Sequence, residues 1–293
     1  MLLHFSKFQG AGNDFIIINM MDNQFELNQK QIEFLCNRRF GIGADGLMLV
    51  LKNDDYDFYM QYFNADGKEG SMCGNGGRCI AKYAYLNKIS GAEVNFLAID
   101  GKHKATINRN SVSLSMSNVD KIQDFEDGYF LDTGSPHFVS FVKDLNSINV
   151  KQEGRKIADE PRFSPMRTNV NFVEIKNDNI RIATFERGVE DETLACGTGS
   201  VASALAIHHS GKTKSNEIVL IAKGGRLKVN FEHKNNIYQN IILSGDAELV
   251  FEGEINIYKK SYPNIVKVAL SNKSTIFLIL VYILPLLYQL VRL

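Results

Sequence analysis

The chain has 293 residues, a length that fits two domains of ordinary size better than one. Hydrophobic residues make up 44% and charged residues 23%, as in a globular protein with a full core, which excludes a disordered chain. The 33 basic and 33 acidic residues give a formal net charge of zero without any basic block, so nucleic acid is excluded as the main partner.

The start of the chain carries no charged leader followed by an apolar run, so we expect no secretory signal and a cytoplasmic protein. Thiols stay reduced in that compartment, and the chain has four cysteines. We therefore expect free thiols and no disulfide framework.

The first part of the chain predicts one amphipathic helix and a set of short strands. The helix is expected at about 29–39, with Asn28 as its N-cap and Gly41 after its end. Short apolar runs bounded by turn residues predict strands at 4–8, 15–20, 47–51, 57–63, 93–99, 103–107 and 112–116.

Two further helices form an internal repeat within a second set of strands. The helices, at 76–87 and 199–210, are apolar or small over most of their circumference, which predicts that sheet surrounds each of them. Each follows a Cys-Gly-Xaa-Gly turn, which begins at Cys73 in one case and at Cys196 in the other. The strands are predicted at 129–133, 137–142, 171–176, 181–185, 217–222, 225–231, 239–244 and 247–257.

The repeat predicts two copies of one domain. A polar stretch at 115–125 separates them, so we expect one half at 1–117 and the other at 118–257. The last strand belongs either to the second half or, by returning, to the first. Residues 258–293 are expected to form an extension that ends in an apolar run.

The two Cys-Gly-Xaa-Gly turns predict a pair of reactive thiols. A cysteine at the start of a buried helix lies beside unpaired N–H groups and the positive end of the helix dipole. Both features favour the thiolate and an anionic ligand such as a carboxylate. If the halves face each other across a cleft, Cys73 and Cys196 approach one carbon from opposite sides. One thiolate then removes a proton and the opposed thiol delivers one, which inverts a stereocentre.

Six ordered motifs over about residues 1–257 resemble the diaminopimelate epimerase family. They are Phe5-Ser6-Lys7 with Gly12-Asn13-Asp14-Phe15, Gly41-Ile42-Gly43-Ala44-Asp45, Phe63-Asn64-Ala65-Asp66-Gly67, Cys73-Gly74-Asn75-Gly76, Asn169-Val170-Asn171-Phe172, and Glu186-Arg187-Gly188 leading to Cys196-Gly197-Thr198-Gly199. The resemblance implies an α/β (α+β) fold of two pseudo-symmetric domains. Each would be a mostly antiparallel sheet wrapped around a central helix, with the active site in the cleft between them.

The same resemblance implies an isomerase that interconverts LL- and meso-2,6-diaminopimelate in lysine and peptidoglycan precursor synthesis. It implies no pyridoxal phosphate, no metal and no other cofactor. The small-molecule substrate is then the main partner, and a second copy of the chain in a homodimer is a further one.

The resemblance also assigns roles to residues. Cys73 and Cys196 match the catalytic acid/base pair. The backbone N–H groups that match those holding the reacting α-carboxylate belong to Gly74, Asn75, Gly197 and Thr198. The remaining substrate contacts match Asn13, Asn64, Asn169, Glu186 and Arg187, of which the last two would read the distal amino and carboxylate ends. The supporting residues are His137, Asp45 and Ser135.

Two positions depart from the family pattern. Ser135 replaces the asparagine of a Gly-Asn-Pro-His motif whose histidine, His137, is retained beside the cysteines together with Glu186. Serine is shorter and lacks the amide donor. Gly46 replaces a glutamine that often follows the Gly-Xaa-Gly-Xaa-Asp motif, which removes one polar contact.

Other interpretations stay open. Paired cysteines also occur in the proline-racemase group, although the asparagines and the Glu186-Arg187 pair favour a long substrate with two zwitterionic ends. A scaffold without activity that retains the fold is the alternative of a different class. Cys36 and Cys79 lie on apolar helix patterns and are expected to pack in the core.

The apolar run at 276–291 has three interpretations. It is shorter than the ~20 residues of an ordinary membrane span, and Pro285 interrupts it. A membrane contact or anchor, a helix packed on the body or on a partner, and an extension without fixed structure are the alternatives.

Overall fold

The computed structural model describes residues 2–22, 25–109, 111–177 and 179–257, together with the backbone of two further strands at 266–269 and 278–281. Within these residues the chain is mixed α+β, rich in strands and built from two similar halves. The predicted fold class is therefore confirmed.

The first half contains eight strands and two helices among the described residues. The helices are α1 (Gln29–Cys36) and α2 (Gly74–Leu86). The strands are β1 (Leu2–Gly10), β2 (Asn13–Asn19), β3 (Gly46–Leu51), β4 (Phe58–Asn64), β5 (Glu69–Gly70), β6 (Glu93–Ala98), β7 (Gly101–Asn108) and β8 (Ser111–Ser115). Every strand predicted here is present, and β5 was not predicted.

The second half repeats this arrangement. Its helices are α3 (Val150–Ala158) and α4 (Gly197–His209). Its strands are β9 (Ile122–Phe125), β10 (Gly128–Asp132), β11 (Pro136–Val142), β12 (Asn169–Lys176), β13 (Asn179–Glu186), β14 (Asp191–Thr193), β15 (Glu217–Ala222), β16 (Gly225–Lys234) and β17 (Ile237–Asp246). Strand β18 (Glu248–Asn256) follows in the chain and pairs with β1 of the first half. The sequence did not predict β9, β14 or α3.

The helix ends differ from the prediction for local reasons. Asn28 caps α1 as expected, but the helix ends at Cys36 and not at 39, because the Asn37 side chain accepts the N–H groups of Arg39 and Phe40. Helices α2 and α4 begin two residues earlier than predicted. Their N-caps are the cysteines themselves, so the first helical residue directly follows each thiol.

Strand pairing displays the repeat. One half has the order β18–β1–β2–β3–β4–β6–β7–β8, and the other has β9–β10–β11–β12–β13–β15–β16–β17. In each, the third and fourth strands are parallel, and most other pairs are antiparallel. Strand β8 pairs with β17 and joins the two into one sheet. We propose a division near residue 117, with β18 placed in the first half.

Each half wraps its sheet around one helix. Helices α2 and α4 are buried on nearly all sides, and the two largest apolar clusters surround them. Small residues such as Ala204 and Ala206 let the strands approach α4 closely. Each large apolar side chain buried in this way contributes about 1.5–3 kcal/mol to stability. The outcome is that both helix N-termini point to the junction of the halves.

Two short strands follow β18. Strand β18 pairs with β1 from Leu2↔Asn256 to Gln9↔Glu248. The two short strands, β19 (Val266–Ala269) and β20 (Leu278–Val281), extend that edge in antiparallel fashion. The apolar run at 276–291 therefore has four residues in β20, and its remainder lies outside the described residues. Among the residues described, no helix is long and apolar enough to cross a membrane.

Candidate active site

The two predicted thiols occupy equivalent positions at the starts of the central helices. Cys73 is the N-cap of α2, and its Sγ accepts the N–H of Gly76 at 3.2 Å. Cys196 is the N-cap of α4, and its Sγ lies 3.4 Å from the N–H nitrogen of Gly199. A side chain that accepts from the third helical residue is the ordinary way to cap a helix, so both sulfurs are held by the fold itself.

The two helix starts meet at the centre of the molecule. A methyl group on Gly74 would lie 3.3 Å from Cα of Gly197 and 2.8 Å from Cδ2 of Leu243. A methyl group on Gly197 would lie 3.1 Å from Cα of Gly74. Any side chain at either position would separate the helices. The glycines therefore bring two positive helix ends, and the thiols that precede them, to one place.

Burial sets the acidity of both thiols and reverses our expectation. We expected the helix ends to lower the thiol pKa values. Instead, burial raises the pKa of Cys73 to about 11, against the smaller effect of the Gly76 N–H group. Burial raises the pKa of Cys196 well above its usual range, and the nearby Glu186 charge adds to this. Removing a thiolate from water thus outweighs the hydrogen bonds that each helix start donates to the sulfur.

Glu186 acts on both thiols. It ends β13, and its Oε1 accepts the hydroxyl proton of Thr193 at 2.8 Å. The carboxyl group is close enough to Cys196 for a hydrogen bond, and its charge also raises the pKa of Cys73. Burial raises the pKa of Glu186 itself. A carboxyl with a raised pKa beside a thiol can exchange a proton with that thiol.

His137 lies on the same side of the site. Its ring is fully buried, and its Nε2 is 2.9 Å from the Thr198 hydroxyl, which in turn is 3.4 Å from the sulfur of Cys196. Burial and the charge of Arg187 lower the pKa of His137 to about 3, so the ring is neutral at ordinary pH. The structure thus brings both His137 and Glu186 to Cys196.

Asn13 and Asn75 connect the first half to the turn before Cys196. The Asn75 amide donates to the carbonyl of Ala195 at 2.9 Å and lies 3.4 Å from Oδ1 of Asn13. Asn13 donates to Asp45 at 2.6 Å, as expected of a supporting carboxylate. These contacts fix both asparagine amides at the cleft.

An ion network holds Asp45 in turn. Arg38 donates to Asp14 and to Asp45 at 2.6 and 2.7 Å, and Lys7 lies 2.8 Å from Asp14. Lys7 is buried, and its ammonium also donates to the carbonyl of Gly43. Burial alone would raise the pKa of Asp14, but Arg38 and Lys7 outweigh it and hold that pKa well below its usual range.

We expect Asp14→Asn to destabilise the fold by about 2 kcal/mol at pH 7, because it leaves the buried Lys7 ammonium without its carboxylate. The depressed pKa makes this contribution complete above the unfolded pKa of about 4 and removes it as the pH falls further. Urea denaturation at pH 7 and pH 3 tests this. The matched control is Asp66→Asn, which breaks an exposed pair with Lys68 and should change stability by less than about 0.5 kcal/mol. Equal effects of the two variants would contradict the expectation.

The remaining predicted contact residues lie in two places, beside His137 and at the end of β4. The Asn169 amide donates to Oγ of Ser135 at 3.0 Å, and its oxygen accepts the backbone N–H of Arg187 at 3.0 Å. Ser135 therefore engages Asn169 through its hydroxyl. The Arg187 guanidinium is folded back onto the carbonyl of Met166. Asn64 is exposed at the end of β4, where it pairs with Gly46.

Tyr62 is a site residue that the sequence did not reveal. A methyl group on Gly46 would lie 2.7 Å from the Tyr62 hydroxyl, so the missing side chain makes room for this ring. Burial raises the pKa of Tyr62, and the nearby charges of Cys73 and Asp45 raise it further. The ring and the Cys73 side chain pack against the same apolar cluster. No local sequence pattern identifies it, because the contact depends on the pairing of Gly46 with the end of β4.

Arg78 is a second such residue. Its side chain is fully buried in α2, and its two terminal nitrogens donate to the carbonyl of Gly74 at 3.1 Å and to Oδ1 of Asn75 at 3.0 Å. Its Nε has no hydrogen-bond partner within the described residues. A buried cation that contacts the two residues after Cys73 belongs to the site, and a charged residue on an apolar helix was the available signal.

Comparison with known proteins identifies the family of the chain. The sequence profile described as Diaminopimelate epimerase matches residues 5–122 and 129–250. A diaminopimelate epimerase of Flavobacterium psychrophilum is 48% identical over 85% of this chain and 98% of its own length. One of Chlorobaculum tepidum is 43% identical over 85% of this chain and 99% of its own length.

Solved structures show the same fold at low identity. A phenazine biosynthesis protein of the PhzF family from Bacillus anthracis has a TM-score of 0.70 at 15% identity and covers 88% of this chain and all of its own. A hydroxyproline epimerase from Agrobacterium vitis has a TM-score of 0.59 at 15% identity over 86% of this chain and 92% of its own. The resemblance noted in the sequence motifs is confirmed, and the chain belongs to the diaminopimelate epimerase family and is an epimerase.

Proposed function

We propose that this enzyme interconverts LL- and meso-2,6-diaminopimelate by proton transfer between Cys73 and Cys196, without a cofactor. The observation that carries the proposal is the meeting of two cysteine-capped helix starts at Gly74 and Gly197. We place the reaction in the cytoplasm, where the four cysteines stay reduced. There it would serve lysine and peptidoglycan precursor synthesis.

The α-carboxylate of the substrate is proposed to bind the two helix starts. The backbone N–H groups available there belong to Gly74, Asn75, Gly197 and Thr198. Donors from two helices, together with the positive ends of both dipoles, suit a carboxylate whose α-carbon becomes a carbanion.

The proton transfers follow from the acidity of the groups. In the direction in which Cys196 is the base, Glu186 takes the Cys196 proton and becomes a neutral carboxyl, leaving a thiolate. That thiolate removes the α-proton, and the thiol of Cys73 gives its proton to the opposite face of the carbanion. Cys73 is left as the thiolate, so the reverse reaction begins from the other side. The raised pKa values of Glu186 and of both thiols support this sharing of protons.

The substrate's remaining polar ends are proposed to bind the asparagines and Arg187. Asn13, Asn64 and Asn169 would bind polar groups along the substrate. Arg187 would release the carbonyl of Met166, and its guanidinium would then donate to both oxygens of the distal carboxylate. Glu186 would contact the distal ammonium in addition to Cys196.

The test is solvent exchange with the purified full chain in D₂O. LL-diaminopimelate should convert to the meso isomer with deuterium at the inverted α-carbon, as followed by proton NMR, while L-proline in a parallel sample stays unchanged. If proline racemises and diaminopimelate does not react, the enzyme carries out proline-racemase chemistry. Absence of exchange with both substrates would favour the scaffold without activity.

A further inference from the structure

A chain of hydrogen bonds that the proposed mechanism does not use leads from the buried Asn171 to Cys196. The Oδ1 of Asn171 accepts the hydroxyl proton of Thr184 at 2.9 Å. Its Nδ2 donates to the main-chain carbonyl of Phe138 at 3.2 Å. Because a carbonyl can only accept, these two contacts fix which end of the amide is nitrogen.

The orientation of this amide determines the tautomer of His137. Nδ2 of Asn171 also lies 3.0 Å from Nδ1 of His137. An N–H donor at that distance requires a lone pair on Nδ1, so the single ring proton of the neutral imidazole is on Nε2. Asn169, whose amide nitrogen is 3.4 Å from Nε2, donates to Ser135 at the shorter distance of 3.0 Å.

The tautomer in turn determines the direction of the next hydrogen bond. Nε2–H of His137 donates to the Thr198 hydroxyl oxygen at 2.9 Å. The hydroxyl proton is then left for the sulfur of Cys196 at 3.4 Å. Thr133 holds the main chain of Thr198 by donating to its carbonyl at 3.0 Å. Each donor in this chain points towards the sulfur.

We propose that Asn171 is a positioning residue for Cys196: it holds His137 in the Nε2–H tautomer, so that Thr198 donates its hydroxyl proton to the sulfur. The inference rests on the proposed role of Cys196 as an acid and base. Both sulfurs accept a main-chain N–H at the helix start, and the Thr198 hydroxyl is an additional donor to Cys196. His137 then acts as a neutral donor and not as a base.

The groups around Cys196 determine what a titration reports. Glu186 from β13 faces the sulfur and disfavours its charge, whereas Thr198 and the Gly199 N–H favour it. Arg187 faces His137 and helps to keep that ring neutral. A change confined to Thr198 or Asn171 leaves Glu186 and Arg187 in place, so a shift at Cys196 can be assigned to the hydrogen-bond chain.

The first experiment reads the tautomer in the full chain labelled with ¹⁵N-histidine. The His137 signals should show a protonated Nε2 and an unprotonated Nδ1, unchanged from pH 5 to pH 9. Asn171→Leu should abolish this single tautomer. An imidazolium, or a ring protonated at Nδ1, at pH 7 in the unsubstituted enzyme would overturn the proposal.

The second experiment measures the pH dependence of iodoacetamide labelling at Cys73 and Cys196 separately, by peptide mass spectrometry. Thr198→Val should slow labelling of Cys196 about tenfold at pH values below the midpoint of its labelling curve, because the thiolate loses one hydrogen bond. Labelling of Cys73 should stay unchanged. Thr198→Ser should retain the unsubstituted profile. Equal changes at both cysteines, or none at Cys196, would overturn the proposal.

Asn171 is buried, so the half-buried Thr198 carries the test if Asn171→Leu does not fold. The matched control is Asn230→Leu, which removes from β16 an amide that donates to Glu217 of β15. It should leave both labelling profiles unchanged. Neither readout needs turnover. Failure of the hydrogen-bond chain and failure of the epimerase proposal are therefore distinguishable.

Discussion

Replacing either Cys73 or Cys196 with serine is expected to lower the rate of epimerisation by about 10²–10⁴-fold, the usual contribution of one general acid or base. A serine hydroxyl is far less acidic than a thiol and cannot provide the anion that removes the α-proton. It remains a good helix N-cap, so α2 and α4 should retain their first turns. The loss can therefore be attributed to chemistry and not to unfolding.

The measurement is the conversion of LL- to meso-diaminopimelate by each purified variant, with circular dichroism as the check on folding. Each variant retains one thiol, so it should still exchange the α-proton of one isomer with D₂O more readily than that of the other. Cys36→Ala removes a buried thiol from α1 and is the matched control, with an unsubstituted rate expected. A variant at Cys73 or Cys196 with the unsubstituted rate would refute the two-thiol mechanism.

Much of the fold could be predicted from the sequence because its signals are local. Strands such as β3 and β15 are short apolar runs bounded by turns, and the two buried helices repeat behind identical Cys-Gly-Xaa-Gly turns. Helix α3 was missed because Gly154 lies in its centre, where it lowers helix propensity. The structure gives the reason for that glycine: a methyl group there would lie 2.3 Å from Cβ of Phe185.

The site was predictable in its residues but not in its contacts. Motif matching places Asn75 near a thiol, but its bond to the carbonyl of Ala195, 120 residues away, depends on how the halves meet. The predicted direction of the pKa shift at the two thiols was wrong for a similar reason. The start of a helix can be inferred from the sequence, whereas the burial that outweighs its N–H groups at Cys73 and Cys196 is a property of the assembled core.

The buried cation Arg78 gives the second large expected effect: Arg78→Met should lower kcat/KM by about tenfold to a hundredfold. A guanidinium at the positive end of α2 is unfavourable for the helix, and burial lowers its pKa. Its charge, however, lowers the pKa of Cys73 and so favours the thiolate. Removing the cation therefore raises the Cys73 pKa further, and activity that needs this thiolate moves to higher pH.

Stability should respond differently from activity, which makes the assignment testable. Methionine removes a buried charge, which favours folding, but it leaves the Gly74 carbonyl and the Asn75 amide oxygen without their donors. These effects oppose each other, so we expect a net change of less than about 2 kcal/mol in urea denaturation.

The pH profile of kcat/KM separates the charge of Arg78 from its hydrogen bonds. Arg78→Lys retains the positive charge beside Cys73 but loses the planar guanidinium that holds Asn75. The other titratable groups near this charge are Cys79 and Asp246. Arg78→Lys should therefore reduce the rate without moving the acid limb, whereas Arg78→Met should move that limb to higher pH. If the acid limb of the kcat/KM profile lies at the same pH in both variants, Arg78 acts only by positioning Asn75. Because Asn75 bridges to the turn before Cys196, the loss in that case would concern the alignment of the two helix starts and not the ionisation of either thiol.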